Sequence, residues 1–219
     1  MHGLFVLLRV AIFGLGFIQG LEAREIDLKV ARSVVKVRGV DDGQRLLYGS
    51  GVVIDVDLVA TNCHVIKNAI RIGVSSGYDF LPVSEEQADV KRDLCLLRVP
   101  QLGLPVARRA LRNQLRLGDQ VHFYGFPRAL GLSYTLGKVS GFPEFDKNRI
   151  IETTAFFTLG GSGGGVFDGK GRLVGLATFM ERGHIGGYYL IPSDWIYVAK
   201  KLPKAQVAPL KGFAFWERR

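Results

Sequence analysis

Ser162 stands in Leu159-Gly160-Gly161-Ser162-Gly163-Gly164-Gly165-Val166-Phe167, one hydroxyl among five glycines. Glycine on both sides lets the backbone adopt positive φ and come close to another molecule, so N–H donors can converge in front of the hydroxyl. A nucleophile beside aimed N–H groups is what acyl transfer requires. Serine attacks poorly unless a neutral base takes its proton, and a carboxylate on the far nitrogen of that base fixes its tautomer. His64, in Thr61-Asn62-Cys63-His64-Val65, and Asp93, heading Asp93-Leu94-Cys95-Leu96-Leu97, supply those two types. The other histidines compete poorly: His2 lies in the leading segment, His122 is mid-strand, and His184 is in the loop Glu181-Arg182-Gly183-His184. Asp89 is the rival acid, in the loop before Asp93. A flexible linker would be longer, richer in serine and not flanked by strand-like segments.

The elements around these residues are short and β-rich. Strands are expected from Ser33 to Val37, then Leu46–Ile54 and Leu58–Thr61 as a hairpin across Asp55-Val56-Asp57, a hairpin that delivers His64. Ile70–Val74 and Asp79–Val83 follow, and Asp93–Val99 closes the first half as a buried strand with its acid at the N-terminal end. Pro100 to Arg116 reads as a connector whose arginines Arg108, Arg109, Arg112 and Arg116 form a solvated face. The pattern resumes at Gln120–Pro127, Tyr134–Ser140 and Arg149–Thr154, and after the Ser162 turn at Arg172–Phe179 and Gly187–Ile191. Many short strands with Gly and Pro between them indicate closed antiparallel sheets instead of βαβ units. One helix is expected after Pro192, from Trp195 to about Leu202, capped by Ser193 or Asp194 and stopped by Pro203. The basic tail from Lys204 to Arg219 carries the cluster Phe213-Ala214-Phe215-Trp216; docking on the domain is expected, with a membrane or partner as the alternative.

The chain has 219 residues, 47% hydrophobic and 22% charged, enough for one large domain or two small ones sharing a core. Residues 1–23 read as an export signal: a short basic start to Arg9, an apolar run from Val10 to Ile18, and Leu21-Glu22-Ala23 ending on a small residue suited to cleavage. Removing them deletes Arg9 and Glu22, so the net charge of +9 is unchanged. Such charge favours anionic surfaces in general, but no aromatic–basic recognition motif points to specific nucleic-acid binding. No later segment reads as transmembrane. The only two cysteines, Cys63 and Cys95, lie beside His64 and two residues after Asp93. If Asp93 supports His64 their sulfurs share a neighbourhood, as a disulfide or as two buried thiols. No CxxC or HxxxH spacing suggests a metal, and no metal or organic cofactor is expected.

Taken together, Gly49-Ser50-Gly51-Val52, Thr61-Asn62-Cys63-His64-Val65, Asp93-Leu94-Cys95-Leu96-Leu97, Gly118-Asp119, Gly125-Phe126-Pro127, Leu136-Gly137-Lys138-Val139-Ser140, Gly160-Gly161-Ser162-Gly163-Gly164 and Leu190-Ile191-Pro192-Ser193 give a chain that resembles trypsin-like serine peptidases. Within them it is similar to the HtrA/DegP type of bacterial envelope proteases, across most of residues 33–202. The resemblance implies an all-β fold of two six-stranded antiparallel Greek-key barrels with a C-terminal helix, barrel one about 24–107, barrel two about 117–202, and a tail 203–219. It implies His64, Asp93 and Ser162 as a triad, in the chain order seen here, and an oxyanion hole from the N–H groups of Gly160 and Ser162 with Gly161 between them. It places Phe156 at the base of the primary specificity pocket, with Ala177, Thr178 and Phe179 as wall and backbone pairing for an extended substrate.

The departures also shape expectations. About 17 residues follow the helix, so a PDZ domain and the peptide-gated regulation that goes with it are not expected. Gly161 stands where digestive relatives have an aspartate that pairs with a newly cut N-terminus, so that route of activation has no partner. No acid occupies the pocket base, which disfavours cleavage after Lys or Arg and favours a small or medium apolar side chain, unless Phe156 fills the pocket. The implied function is a serine endopeptidase acting on unfolded or extended polypeptide, exported to a periplasm or secreted. A catalytically latent binding module on the same fold is the alternative; an esterase is a weaker third reading.

Overall fold

Successive side chains of a strand point to opposite faces, and in this molecule both faces of the main strands are covered. Strand β1 (Val34–Val40) turns Val35 and Val37 into one apolar cluster and Val34 into another, and β2 (Leu46–Asp55) does the same with Val53 against Val52 and Ile54. That double burial is why these strands read as continuous apolar runs. The computed structural model describes residues 28–75, 77, 79–110, 114–145, 148–180 and 187–217. The expected export segment, Arg112 and His184 lie outside the described residues.

The N-terminal half continues with β3 (Leu58–Thr61), β4 (Arg71–Ser75), β5 (Leu81–Pro82), β6 (Glu85–Asp89) and β7 (Leu94–Arg98). These form one curled antiparallel sheet in the order β5-β4-β1-β2-β3-β7-β6. The resemblance implies six strands here; the sheet runs through seven, with the two-residue β5 at one edge. The C-terminal half comprises β8 (Gln120–Gly125), β9 (Ser133–Gly141), the small ribbon β10 (Glu144–Phe145) and β11 (Asn148–Arg149), then β12 (Ile151–Thr153), β13 (Gly165–Asp168), β14 (Leu173–Met180) and β15 (Tyr188–Pro192). Six of these close into a barrel, β12-β15-β14-β13-β8-β9. The fold is therefore all-β, as expected.

Three apolar clusters hold the molecule. One fills the N-terminal half around Val35, Val59, Leu97 and the paired cysteines; a second fills the barrel around Val121, Phe123, Val166 and Leu190. The third lies between the halves, joining Val52, Leu94 and Leu96 to Tyr124, Phe167, Leu176 and Trp195. The connector is not merely solvated: Ala110 N–H donates to Leu173 O at 2.9 Å and Arg109 pairs with Leu173 in a parallel bridge, tying it to the start of β14.

The C-terminal helix is shorter than expected, Trp195–Ala199, with turns continuing to Leu202. Asp194 takes the N-cap position as expected but makes no side-chain capping bond, and the Ser193 hydroxyl donates to Ala110 O at 3.4 Å. Burial of Trp195, Ile196 and Ala199 against the inter-half cluster holds this single turn, as tertiary packing does for short helices. After it, Ala205 exchanges two 2.8 Å backbone bonds with Glu86 on β6, and the tail docks on the N-terminal half.

Candidate active site

Strand β3 ends at Thr61, Asn62 stays extended, and a single helical turn, Cys63–Ile66, follows. Val65 and Ile66 are buried on its inner side, which leaves the His64 side chain 23% exposed at the inter-half crevice. Asp93 is held beside it by a tight turn. Val90–Arg92 form a 3₁₀ turn, and Asp93 closes it with its N–H on Val90 O and a left-handed backbone, φ 55° and ψ 37°. That conformation is uncommon for a residue other than glycine and is kept only where surroundings over-determine it. Asp93 therefore precedes β7; it is not its first residue. Its carboxylate accepts from His64 twice, backbone N–H to Oδ1 at 2.9 Å and ring Nδ1 to Oδ2 at 2.7 Å. A carboxylate can only accept here, so the Nδ1 proton is fixed and Nε2 is left as the basic nitrogen.

Asp89, the rival acid, accepts from the Arg92 backbone N–H and guanidinium, and so serves the turn that shapes Asp93. His122 is on β8 with Nδ1 2.9 Å from Tyr134 Oη, away from this pair. Cys63 and Cys95 form a disulfide with Cα atoms 4.9 Å apart. The register that brings them together pairs Thr61 with Cys95 across β3 and β7, and Cys63 N–H reaches Asp93 O at 3.4 Å.

On the other half, Ser162 follows a turn in which Gly160 has φ +88° and Gly163 φ +82°. A Cβ on Gly163 would lie 2.1 Å from Ser50 O, and one on Gly160 2.4 Å from Arg128 N, so only glycine fits either place. Gly161 N–H is spent on Thr158 O, Gly163 N–H on Ala177 O and Gly164 N–H on Gly161 O. Among the described hydrogen bonds, Gly160 N–H and Ser162 N–H are not used. The Ser162 hydroxyl donates to Thr178 O at 3.2 Å, and its described hydrogen bonds do not include His64.

Residues absent from the candidates read in the sequence join the halves. Ser50 N–H donates to Ser162 O at 2.8 Å, and Ser50 Oγ donates to Gly160 O while accepting from Phe126 N–H, both at 2.8 Å. Asn62 Nδ2 bonds Asp93 O at 2.9 Å and Thr178 Oγ1 at 3.2 Å, so Thr178 touches the His64 side through its hydroxyl and Ser162 through its carbonyl. Trp216 lies edge-on to His64, ring centres 5.3 Å apart, and donates from Nε1 to Asp93 Oδ2 at 3.0 Å. No spacing signal marks it, since the contact joins residues 123 apart.

The substrate-pocket candidates separate. Ala177 has no exposed surface, and both its N–H and its C=O are bonded to the glycine turn; the Thr178 side chain is 2% exposed. Among the described hydrogen bonds, the backbone group of these two that Ser162 engages is the Thr178 carbonyl. Phe179 does present surface, stacked between Tyr189 and Trp216. Phe156 is 51% exposed, its ring edge on Tyr188, so it is not a plug sealed inside the barrel.

A His–Asp pair on one β-half and a serine in a glycine turn on the other, bolted together by Ser50 and Asn62, define a serine-hydrolase type of site on a double-β scaffold. The trypsin-like peptidase domain family matches residues 49–176, more than half of the chain, and the chain belongs to that family. It is 32% identical over 163 residues to the mitochondrial serine protease HTRA2 of Drosophila pseudoobscura pseudoobscura, covering 68% of this chain and 38% of that protein. To the periplasmic serine endoprotease DegP of Escherichia coli (strain K12) it is 33% identical over 161 residues, 68% of this chain and 34% of that one. The chain thus spans little more than a third of the length of these curated relatives. Among solved structures, the active form of the Rv3671c protease from M. tuberculosis aligns with a TM-score of 0.75 at 22% identity, over 85% of this chain and 89% of that one, a likeness of fold. The serine endoprotease from Yersinia pestis gives a TM-score of 0.71 at 26% identity, over 80% and 64%.

Proposed function

We propose that this chain is a serine endopeptidase in which Ser162 attacks the peptide carbonyl, His64 takes and returns the proton, and Asp93 holds His64. The observation that carries the reading is the His64–Asp93 pair, fixed at 2.7 and 2.9 Å, together with a turn whose Gly160 and Ser162 N–H groups are used by none of the described hydrogen bonds. Those two N–H groups are assigned to the oxyanion, and Gly161 N–H, bonded to Thr158, holds the turn that presents them. Before attack the Ser162 hydroxyl must leave Thr178 O for His64 Nε2, and catalytic bonds of this kind commonly tighten only with substrate present.

The substrate class is extended or unfolded polypeptide, with a small or medium apolar residue before the scissile bond. No acid stands at Phe156 to pair with a lysine or arginine side chain of the substrate. An exported setting is supported by the leading segment, by the Cys63–Cys95 bridge and by the periplasmic relative.

The test is covalent labelling with a fluorophosphonate probe, comparing the wild-type chain with Ser162→Ala. Labelling of the first alone is expected; equal absence of label in both returns the protein to the reading of a latent binding module.

A further inference from the structure

The segment after the C-terminal helix brings Trp216 against the Asp93 carboxylate. Trp216 Nε1–H donates to Asp93 Oδ2, the same oxygen that accepts from His64 Nδ1, and the indole packs edge-on to the imidazole at an interplanar angle of 87°. On its other side it stacks on Phe179, centres 5.3 Å apart and planes within 19°.

This seat is built into the tail. Leu210 N–H donates to Lys67 O at 2.7 Å and Phe215 N–H to Lys91 O at 3.0 Å, so the chain is pinned both to the turn after His64 and to the turn before Asp93. Phe215, 5% exposed, enters the inter-half cluster beside Trp195, and Glu217 caps Ala214 N–H at 2.8 Å while pairing with Lys67 at 3.3 Å. The hydroxyl of Thr178, linked to Asp93 through Asn62, donates to Leu176 O and not to the carboxylate. The indole N–H is thus the one side-chain donor besides His64 on this carboxylate among the described bonds.

We propose that Trp216 is a positioning residue: its N–H holds Oδ2 of Asp93 and thereby sets the orientation and basicity of His64. The proposal rests on the triad reading above. A donor on Oδ2 draws charge from the carboxylate, so the imidazolium is stabilised less than it would be by an unshared carboxylate. The charged groups lining this crevice are His64, Asp93, Lys67 and Glu217; the last two are paired, and Arg92 on the adjoining turn is paired with Asp89.

Trp216→Phe keeps the ring and removes only the N–H. In the full chain, kcat on an unfolded protein substrate is expected to fall about tenfold with KM changed much less. The acidic limb of the kcat/KM profile is expected to move up by roughly half a pH unit. The second measurement needs no turnover: the His64 ring titration followed by NMR in Ser162→Ala protein, with and without Trp216→Phe, is expected to show the same upward movement. Superimposable titrations with unchanged kcat overturn the proposal, because packing alone survives in Phe. Should Trp216→Phe fail to fold, the indole N–H resonance of Ser162→Ala protein decides. A signal whose shift follows the His64 titration supports the proposal; one that ignores it sinks it. Failure of the triad reading shows separately, as absence of fluorophosphonate label in the wild-type chain.

Discussion

The Ser50 hydroxyl donates to the carbonyl of Gly160, 110 residues away on the other half, at 2.8 Å. It also takes the N–H of Phe126, while the Ser50 backbone N–H holds Ser162 O. One residue of the N-terminal sheet thus holds the Gly160–Gly161 and Ser162–Gly163 peptide units. The N–H groups of Gly160 and Ser162 lie in the neighbouring peptide planes, whose carbonyls, Leu159 O and Gly161 O, accept from Arg128 N–H at 3.0 Å and Gly164 N–H at 2.8 Å. The Ser162 turn is therefore shaped jointly by both halves.

Ser50→Ala is expected to lose two of those bonds and leave a buried Phe126 N–H without its partner. The expected costs are about 1–3 kcal/mol in denaturant unfolding and about tenfold in the acylation rate, with substrate binding little changed. Single-turnover kinetics beside an unfolding curve separate the two; a wild-type acylation rate would remove Ser50 from the site.

Asp93→Asn is expected to present an amide N–H toward His64 Nδ1 or to force the other tautomer, so Nε2 ceases to be basic. By analogy with the same exchange in the well-studied triad enzymes, kcat is expected to fall on the order of 10⁴-fold at neutral pH. Partial recovery at alkaline pH would fit; a loss below tenfold would show that Asp93 is not the orienting acid.

Much of this was legible in the chain, and the limits have physical reasons. His64, Asp93 and Ser162 stand in short local motifs, and the strands around them are set by β-branched runs broken at Gly and Pro. What joins the halves was not legible. Ser50, Asn62 and Trp216 act through hydrogen bonds that reach residues 110, 116 and 123 positions away, and spacing along a chain carries no trace of such pairs. Asp194 caps the C-terminal helix by position without a side-chain capping bond for a related reason: a turn buried by Trp195 and Ile196 is held by packing, so its cap chemistry is not under the usual demand. What spacing could not show for Ala177 and Thr178, expected beside an extended substrate, is that the glycine turn holds both backbone groups of Ala177 and that Asn62 reaches the Thr178 hydroxyl.

The Cys63–Cys95 bridge closes a separation of 32 residues and ties the residue before His64 to the strand after Asp93. Reduction, or Cys95→Ala, is expected to cost roughly 3–4 kcal/mol by the chain-entropy relation. Denaturant unfolding with and without reductant checks the size. Thiol counting on unfolded, unreduced protein is expected to find no free thiol, and two would contradict the bridge.

Glu86 gives the fold a pH dependence. Glu86 is 3% exposed beneath the tail; among the described residues Oε2 has no hydrogen-bond partner and Oε1 has only the Ala208 N–H at 3.4 Å. Burial pushes its carboxyl above the ordinary glutamate value of 4.5, and the Ala208 N–H offsets only part of that. A carboxyl with a raised folded value binds its proton more tightly in the native state. Its contribution to stability is complete below about pH 4.5, where both states are protonated, and is lost as pH rises through the raised value. Glu86→Gln cannot ionise, so its stability relative to wild type is expected to improve from pH 4 to pH 7.5 in denaturant unfolding. The Ala205 amide, which donates to Glu86 O at 2.8 Å, is expected to exchange its hydrogen more slowly in the variant at the upper pH. A stability difference that stays flat across that range would mean the carboxylate reaches water when it ionises, and the tail would then be free of this control.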